Sequence, residues 1–300
     1  MPSAGNKSLK SSLLIQTKLI RRAYRRAQQS IRFRSQNMNQ APILFANSFP
    51  KSGTHLLIQV LAGFTQIGPA VNSGLPAIVT FDGASGRQRS SDEIIDNLKR
   101  LLPGDIAYGH LHAERRIIRA ICSQPFAPYF ILRDPRDVAV SHVHYITDMA
   151  PGHIHHRFYR EELPDFDARL KFSIEGNQDN ANQPGTTPIP DIGSRLEPYL
   201  DWLSEKDVLS LQFEKLITQT RDTLEEILQH AIQRGFVNTK SSSEALQILE
   251  NSIDPSRSPT YRSGKIGAWR SAFSAENKQL FKEKTGDMLI RLGYEDNSNW

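Results

Sequence analysis

Two clusters of residues offer chemistry in this sequence. The first is Asn47-Ser48-Phe49-Pro50-Lys51-Ser52-Gly53-Thr54-His55, set between an apolar run at 43–47 and a helix-like run at 55–67. A tight loop in that setting points backbone N–H groups at an anion from a helix N-terminus. Gly53 lets the backbone approach a phosphate closely, Lys51 adds a point charge, and Ser52 and Thr54 add hydroxyl donors. A ligand-free turn is the alternative for the same residues. The string GxxxxGK[ST] is absent because Lys51 precedes the glycine, so no Mg²⁺-binding hydroxyl follows a Gly-Lys pair. The second cluster, Arg133-Asp134-Pro135-Arg136-Asp137, follows an apolar run at 129–132, with Ser141 eight residues beyond Arg133. Arg133 is able to fork onto a phosphate, and Ser141 falls two turns into the next helix. A purely structural Arg–Asp pairing is the alternative here.

The elements that position these clusters follow from the apolar pattern. Short apolar runs at 43–47, 106–108, 129–132 and 208–213 read as strands. They alternate with helical runs at 55–67, 92–102, 114–122, 138–145, 196–203, 218–234 and 274–292. That alternation predicts an α/β fold, a single-domain parallel sheet flanked by helices, with ligands at the carboxyl ends of the strands. Residues 68–92, 175–193 and 251–269 are rich in Gly, Pro and Ser and read as loops, the second as a surface loop or lid.

The chain has 300 residues, 38% of them hydrophobic and 23% charged, which excludes global disorder and allows one or two domains. No stretch approaches 18 consecutive apolar residues, so no transmembrane helix is expected. Cys122 is the one cysteine, which excludes an intrachain disulfide and every CxxC site and fits a reducing, cytoplasmic setting. The net charge of +5 is unevenly placed. Residues 1–40 hold nine Lys and Arg and no Asp or Glu, leaving 28 basic against 32 acidic residues in 41–300. The chain thus divides into a basic, helical arm at 1–40 and a domain at 41–300. In the arm, Leu13, Leu14, Leu19, Ile20, Tyr24, Ala27 and Ile31 mark one helix face, with Arg21, Arg22, Arg25 and Arg26 beside and opposite it. Peripheral contact with an anionic membrane surface, a nucleic-acid-binding arm, and a helix simply packed on the domain are the readings this pattern allows. No nucleic-acid partner is expected for the protein as a whole. A signal peptide is not expected from an apolar run as short as Leu13–Ile15, while an Arg- and Ser-rich, acid-free arm is compatible with a transit peptide.

Three strings in this order resemble one family. PKSGTHLL (Pro50–Leu57) resembles the phosphosulfate loop of sulfotransferases, usually PKSGTTWL. LRDPRDVAVSHVHY (Leu132–Tyr145) resembles their 3′-phosphate motif, and YRSGKIGAWRSAF (Tyr261–Phe273) resembles their RKGxxGDWKNxF segment. The resemblance runs from about residue 43 to 294. It implies a fold related to nucleotide kinases and a donor substrate, 3′-phosphoadenosine 5′-phosphosulfate (PAPS), with no metal. It places Lys51, Ser52, Gly53, Thr54 and His55 on the 5′-phosphosulfate. Arg133, Ser141, Arg262, Ser263 and Gly264 fall on the 3′-phosphate, and Phe213 near the adenine. Gly109-His110-Leu111-His112 resembles the family's Thr-His-Leu-Pro, which makes His110 the general base, with His112 as runner-up, and Lys51 the group that stabilises the leaving phosphate.

The sequence also departs from the family. Ser263 replaces a lysine, with Lys265 two residues on. Ala268 replaces an aspartate, Leu56 a tryptophan, His55 a threonine and Phe213 a tyrosine. The acceptor is expected to be a small molecule, glycan or lipid bearing a hydroxyl or amine, met by variable loops at 68–92 and 145–195. A nucleotide-dependent kinase of related fold and a non-catalytic anion- or membrane-binding protein are the alternatives. Five of the nine histidines fall in 142–156 (His142, His144, His153, His155, His156). With no cysteine nearby and no tetrahedral spacing, a substrate-facing loop is expected there rather than a metal site.

Overall fold

The computed structural model describes residues 4–123, 125–177, 188–258 and 262–300, and for 4–16 the backbone alone. The apolar runs become strands Ile43–Ser48 (β1), Val71–Asn72 (β2), Ile78–Val79 (β3), Asp105–His110 (β4), Phe126–Leu132 (β5) and Leu209–Gln212 (β6). They pair in parallel in the order β2-β4-β1-β5-β6, and β3 joins the far end of β4. Every residue of β1 and β5 is buried, as a sheet covered on both faces requires. Alternation along the strands divides the core. Ile43, Phe45, Phe130 and Leu132 face one layer with Ile94, Ile117, Val138 and Leu170. Leu44, Ala46, Tyr129 and Ile131 face the other, with Leu57, Leu61, Leu224 and Leu246. The expected single α/β domain with helices on both faces is what the chain forms.

The consequence for function lies at one edge. Ser48, His110, Leu132 and Gln212 are the carboxyl-terminal residues of four parallel strands. The segments that follow them, with Lys51, His112, Arg133 and Phe213, therefore emerge side by side.

Several element boundaries differ from expectation. The helix expected at 218–234 is two, Phe213–Thr218 and Thr220–Gln233, interrupted at Gln219. Phe213 opens the first of them instead of closing the strand. The helix expected at 274–292 breaks at Gly286, whose φ of 55° and ψ of −123° end the first segment at Thr285. Residues 68–92 are not wholly loop, since they supply β2 and β3. After helix Pro135–His144 the chain widens into a π turn, Tyr145–Met149. Residues 178–187 of the expected lid, and Tyr261 of the third string, lie outside the described residues.

The arm forms two helices, Ala4–Phe33 and Ser35–Gln40, and the first docks by its arginines. Arg22 is 7% exposed and pairs with the fully buried Asp105, which Arg26 also reaches at 3.2 Å. Arg26 and Gln29 donate to the carbonyls of Pro103 and Thr65. Removing one partner from a buried pair of this kind costs about 3–5 kcal/mol, so the arm is anchored to the start of β4. The apolar stripe points the other way: Ile20, Tyr24 and Ile31 are 70%, 65% and 85% exposed.

Candidate functional site

The loop after β1 is built for an anion. Lys51 and Gly53 both take positive φ, 71° and 96°. At Gly53 a Cβ would stand 2.5 Å from Phe213 Cδ2, so any side chain would push the loop off that ring. Helix Thr54–Ile67 begins there with no side-chain cap, leaving its first N–H groups turned to the loop. Ser48 Oγ meets Thr54 Oγ1 at 2.6 Å, holding strand end and helix start together. Ser52 is fully buried and its Oγ has no hydrogen-bond partner.

His110 closes β4 beside this loop. Its Nδ1 lies 3.1 Å from Ser48 O and 3.1 Å from Ser48 Oγ. A carbonyl only accepts, so the contact to Ser48 O places the proton on Nδ1 and leaves the Nε2 lone pair free. Burial is the main force on its pKa, lowering it to about 4 against the opposing pull of the Ser48 hydrogen bond. The charges of His55 and Lys51 contribute to this lowering. The imidazole is therefore neutral at pH 7. Asn47 fixes the turn that follows by donating Nδ2 to Leu111 O at 3.0 Å and accepting from Leu111 N at 2.8 Å; Trp202 Nε1 also donates to Leu111 O. Gly109 is obligatory there, since a Cβ would lie 2.4 Å from Ile78 O.

Arg133, at the end of β5, is 8% exposed. It donates Nη2 to Lys265 O at 2.7 Å and stacks over the Phe213 ring at 4.6 Å, while its Nε has no partner. Asp137 lies 3.4 Å from Nη2 and also accepts from Gly267 N and Trp269 N, at 2.8 and 2.9 Å. One carboxylate thus pins the third string to the second. Arg136 adds a clamp: it pairs with Asp134 and Glu295 and lies between Trp269 and Trp300, 3.9 and 4.5 Å from the ring centres. The Ser263 hydroxyl accepts from Lys265 N at 3.4 Å, and Lys265 gives Arg133 its carbonyl.

These groups open on one cavity of about 1010 Å³. Lys51, Gly53, Thr54, His55, His110, His112, Arg133, Ser141, Phe213, Arg262, Ser263 and Gly264 all line it, and so does Leu56. Ser52 lies behind the loop and Lys265 outside the lining. Lys51 is lowered to about 8, first by burial and then by the charges of Arg133 and Arg262. Three cationic side chains therefore converge, and among the described lining residues the one acid is Asp82. Asp82 is already engaged by Ser85 and by Arg89 at 3.5 Å. Such a site gains stability when a multiply charged anion enters.

Comparison with known proteins gives the family and the fold. Residues 129–293, more than half of the chain, match the family described as "Sulfotransferase domain". The chain belongs to the sulfotransferase family. No curated protein sequence matches it. Among solved structures it is similar to a mouse sulfotransferase complexed with PAP, at TM-score 0.54 and 19% identity over 85% of this chain and 88% of that one. It is also similar to a retinol dehydratase in complex with retinol and PAP, at 0.53 and 15% over 84% of each. A complex of retinol dehydratase with androsterone and inactive cofactor PAP gives 0.53 and 16% over 84% and 83%.

Within this sulfotransferase, several cavity residues escaped the sequence reading. Tyr145 sets its ring 4.1 Å from Lys51 Nζ, a cation–π contact that steers the ammonium. Tyr108, Tyr199 and Arg195 also line the cavity. Tyr145 closes the second string, which was the available signal. Arg195 lies in no string. His142, His153 and His155 face the cavity, whereas His144 turns away to Asp148 at 3.2 Å and His156 to Ile146 O at 2.6 Å. Among the described residues no group of three His, Cys, Asp or Glu is placed to hold a metal ion, and no helix is long and apolar enough to cross a membrane.

Proposed function

We propose that this sulfotransferase takes its sulfuryl group from PAPS and passes it to an acceptor hydroxyl or amine, with His110 as general base. The convergence of Lys51, Arg133 and Arg262 on one cavity carries this reading, supported by the unpartnered Arg133 Nε. Arg133, Ser141, Arg262, Ser263 and Gly264 would hold the 3′-phosphate. The loop Lys51–His55 would hold the 5′-phosphosulfate, and Phe213 would offer an aromatic face to the base. The acceptor oxygen gives its proton to His110 Nε2 and bonds to sulfur. The bond between sulfur and the bridging phosphate oxygen breaks, and the charge left on the phosphate meets Lys51 and the N–H groups of helix Thr54–Ile67. His112 is the weaker candidate, because its ring is packed against Tyr199 and Phe81, at 4.8 and 5.5 Å. Conversion of 2-naphthol to its sulfate ester, with PAP released one for one, tests the reading; nucleotide release without sulfated product counts against it.

The protonation states predict a pH profile. His110 works neutral and Lys51 charged. The kcat/KM for the donor is therefore expected to rise through about pH 4 and fall above about pH 8, where free Lys51 loses its proton. An acid limb near the ordinary histidine value would contradict a buried, neutral base.

The arm supports peripheral contact with an anionic membrane. Docked by Arg22 and Arg26, it presents Ile20, Tyr24, Ala27 and Ile31 outward, with exposed Arg21 and Arg32 beside them and no acid in residues 1–40. A second copy on this stripe would oppose like charges with no carboxylate of the arm to offset them. Phosphatidylserine-containing vesicles are expected to sediment the full chain, and Ile20→Glu with Ile31→Glu to abolish this. Failure of the wild type to sediment, or a concentration-dependent dimer lost in the variant, counts against it.

A further inference from the structure

The cavity holds one more cation than the donor requires. If Lys51, Arg133 and Arg262 answer the donor's phosphates, Arg195 is a cation the donor leaves unanswered. It sits in helix Ile192–Leu196 and lines the same cavity. Its Nη2 donates to Ser173 O and its Nε is buried without a partner. Burial pushes its pKa below the ordinary value; Tyr159, Asp191 and Tyr199 oppose this. A guanidinium in such surroundings is costly until a ligand supplies negative charge.

Its neighbours connect it to the transfer centre. His142 Nδ1 lies 3.0 Å from Ser173 Oγ, next to the carbonyl that Arg195 uses. The His153 ring stands 6.4 Å from His142 and 6.1 Å from Tyr145, which carries Lys51 Nζ. Phe81, Ile154, Ile189 and Tyr199 give the same cavity apolar and aromatic wall. One continuous cavity thus runs from His110 and Lys51, past aromatic and aliphatic walls, to a cation with hydrogen-bonding imidazoles beside it.

We infer that the acceptor is an amphipathic molecule that places a hydroxyl or amine at His110 and a carboxylate at Arg195. This rests on the reading of His110 and Lys51 as the transfer centre. His142 and His153 supply further hydrogen bonds to the carboxylate, and the apolar walls hold the body between the two ends. A neutral acceptor would leave the guanidinium unanswered and bind more weakly.

The test uses two probes that differ by one carboxylate, 6-hydroxy-2-naphthoate and 2-naphthol, titrated calorimetrically into the full chain with adenosine 3′,5′-bisphosphate present. The naphthoate is expected to bind at least tenfold more tightly. That ratio should fall towards one in Arg195→Met and be largely kept in Arg195→Lys. Equal binding of the two probes by the wild type, binding of neither, or a ratio unchanged in Arg195→Met overturns the inference. The wild-type comparison needs no variant to fold. Because the readout is binding, sulfuryl transfer can fail while the carboxylate preference holds, and the reverse, so the two readings fall separately.

Discussion

His110→Ala is expected to lower sulfuryl transfer by at least about a hundredfold while leaving the affinity for adenosine 3′,5′-bisphosphate within about twofold, the pattern of a lost general base. The separation follows from how the side chain is held. Among the described residues the His110 ring hydrogen-bonds to Ser48, and Ser48 Oγ keeps its 2.6 Å contact to Thr54 when the imidazole is removed. His110→Asn sharpens the test. Its amide is able to donate to Ser48 O as Nδ1 does, yet it has no lone pair of comparable basicity. It should therefore be as inactive as the alanine variant and melt closer to the wild type. Full activity in His110→Ala would move the base elsewhere, with His112→Ala the next variant to measure.

Arg133→Ala is expected to weaken adenosine 3′,5′-bisphosphate about thirtyfold or more, on the scale of hydrogen bonds to a charged group. The affinity for 5′-AMP should change far less. The guanidinium is already oriented by Lys265 O, Asp137 and the Phe213 ring, so little ordering remains to be done when a phosphate arrives. Titration of both nucleotides into both proteins checks this. Equal weakening would mean that Arg133 supports the loops without selecting the 3′-phosphate. Ser263, where the resemblance expects a lysine, makes this arginine the more important: Lys265 lends a carbonyl in place of its ammonium, so Arg133 and Arg262 supply the charge at that end.

Much of this site was legible because strand ends carry local signals. β1 and β5 are continuous apolar runs that stop at polar residues, and the residues just past them are Lys51 and Arg133. His110 was found through a short string at the end of a strand half as long in the sequence reading as in the structure. Tertiary contacts decided what the sequence could not. The helix at 4–33 has an apolar face that periodicity would bury, yet a single buried acid 83 residues beyond Arg22, Asp105, turned its arginines inward. Asp137 sits in a local charge run, and its bonds to Gly267 and Trp269 span 130 and 132 residues. Arg195 belongs to a five-residue helix with no string around it, and only the shared cavity gives it meaning.

The claim at the centre of this account is that the cavity selects a nucleotide carrying both 3′- and 5′-phosphates. Calorimetric titration of the wild-type chain with adenosine 3′,5′-bisphosphate, 5′-AMP and ATP tests it most directly. The account predicts tight binding of the bisphosphate and binding of the other two weaker by about a hundredfold, the value of one bidentate, charge-assisted phosphate contact. Equal affinity for all three, or a preference for ATP, would contradict it.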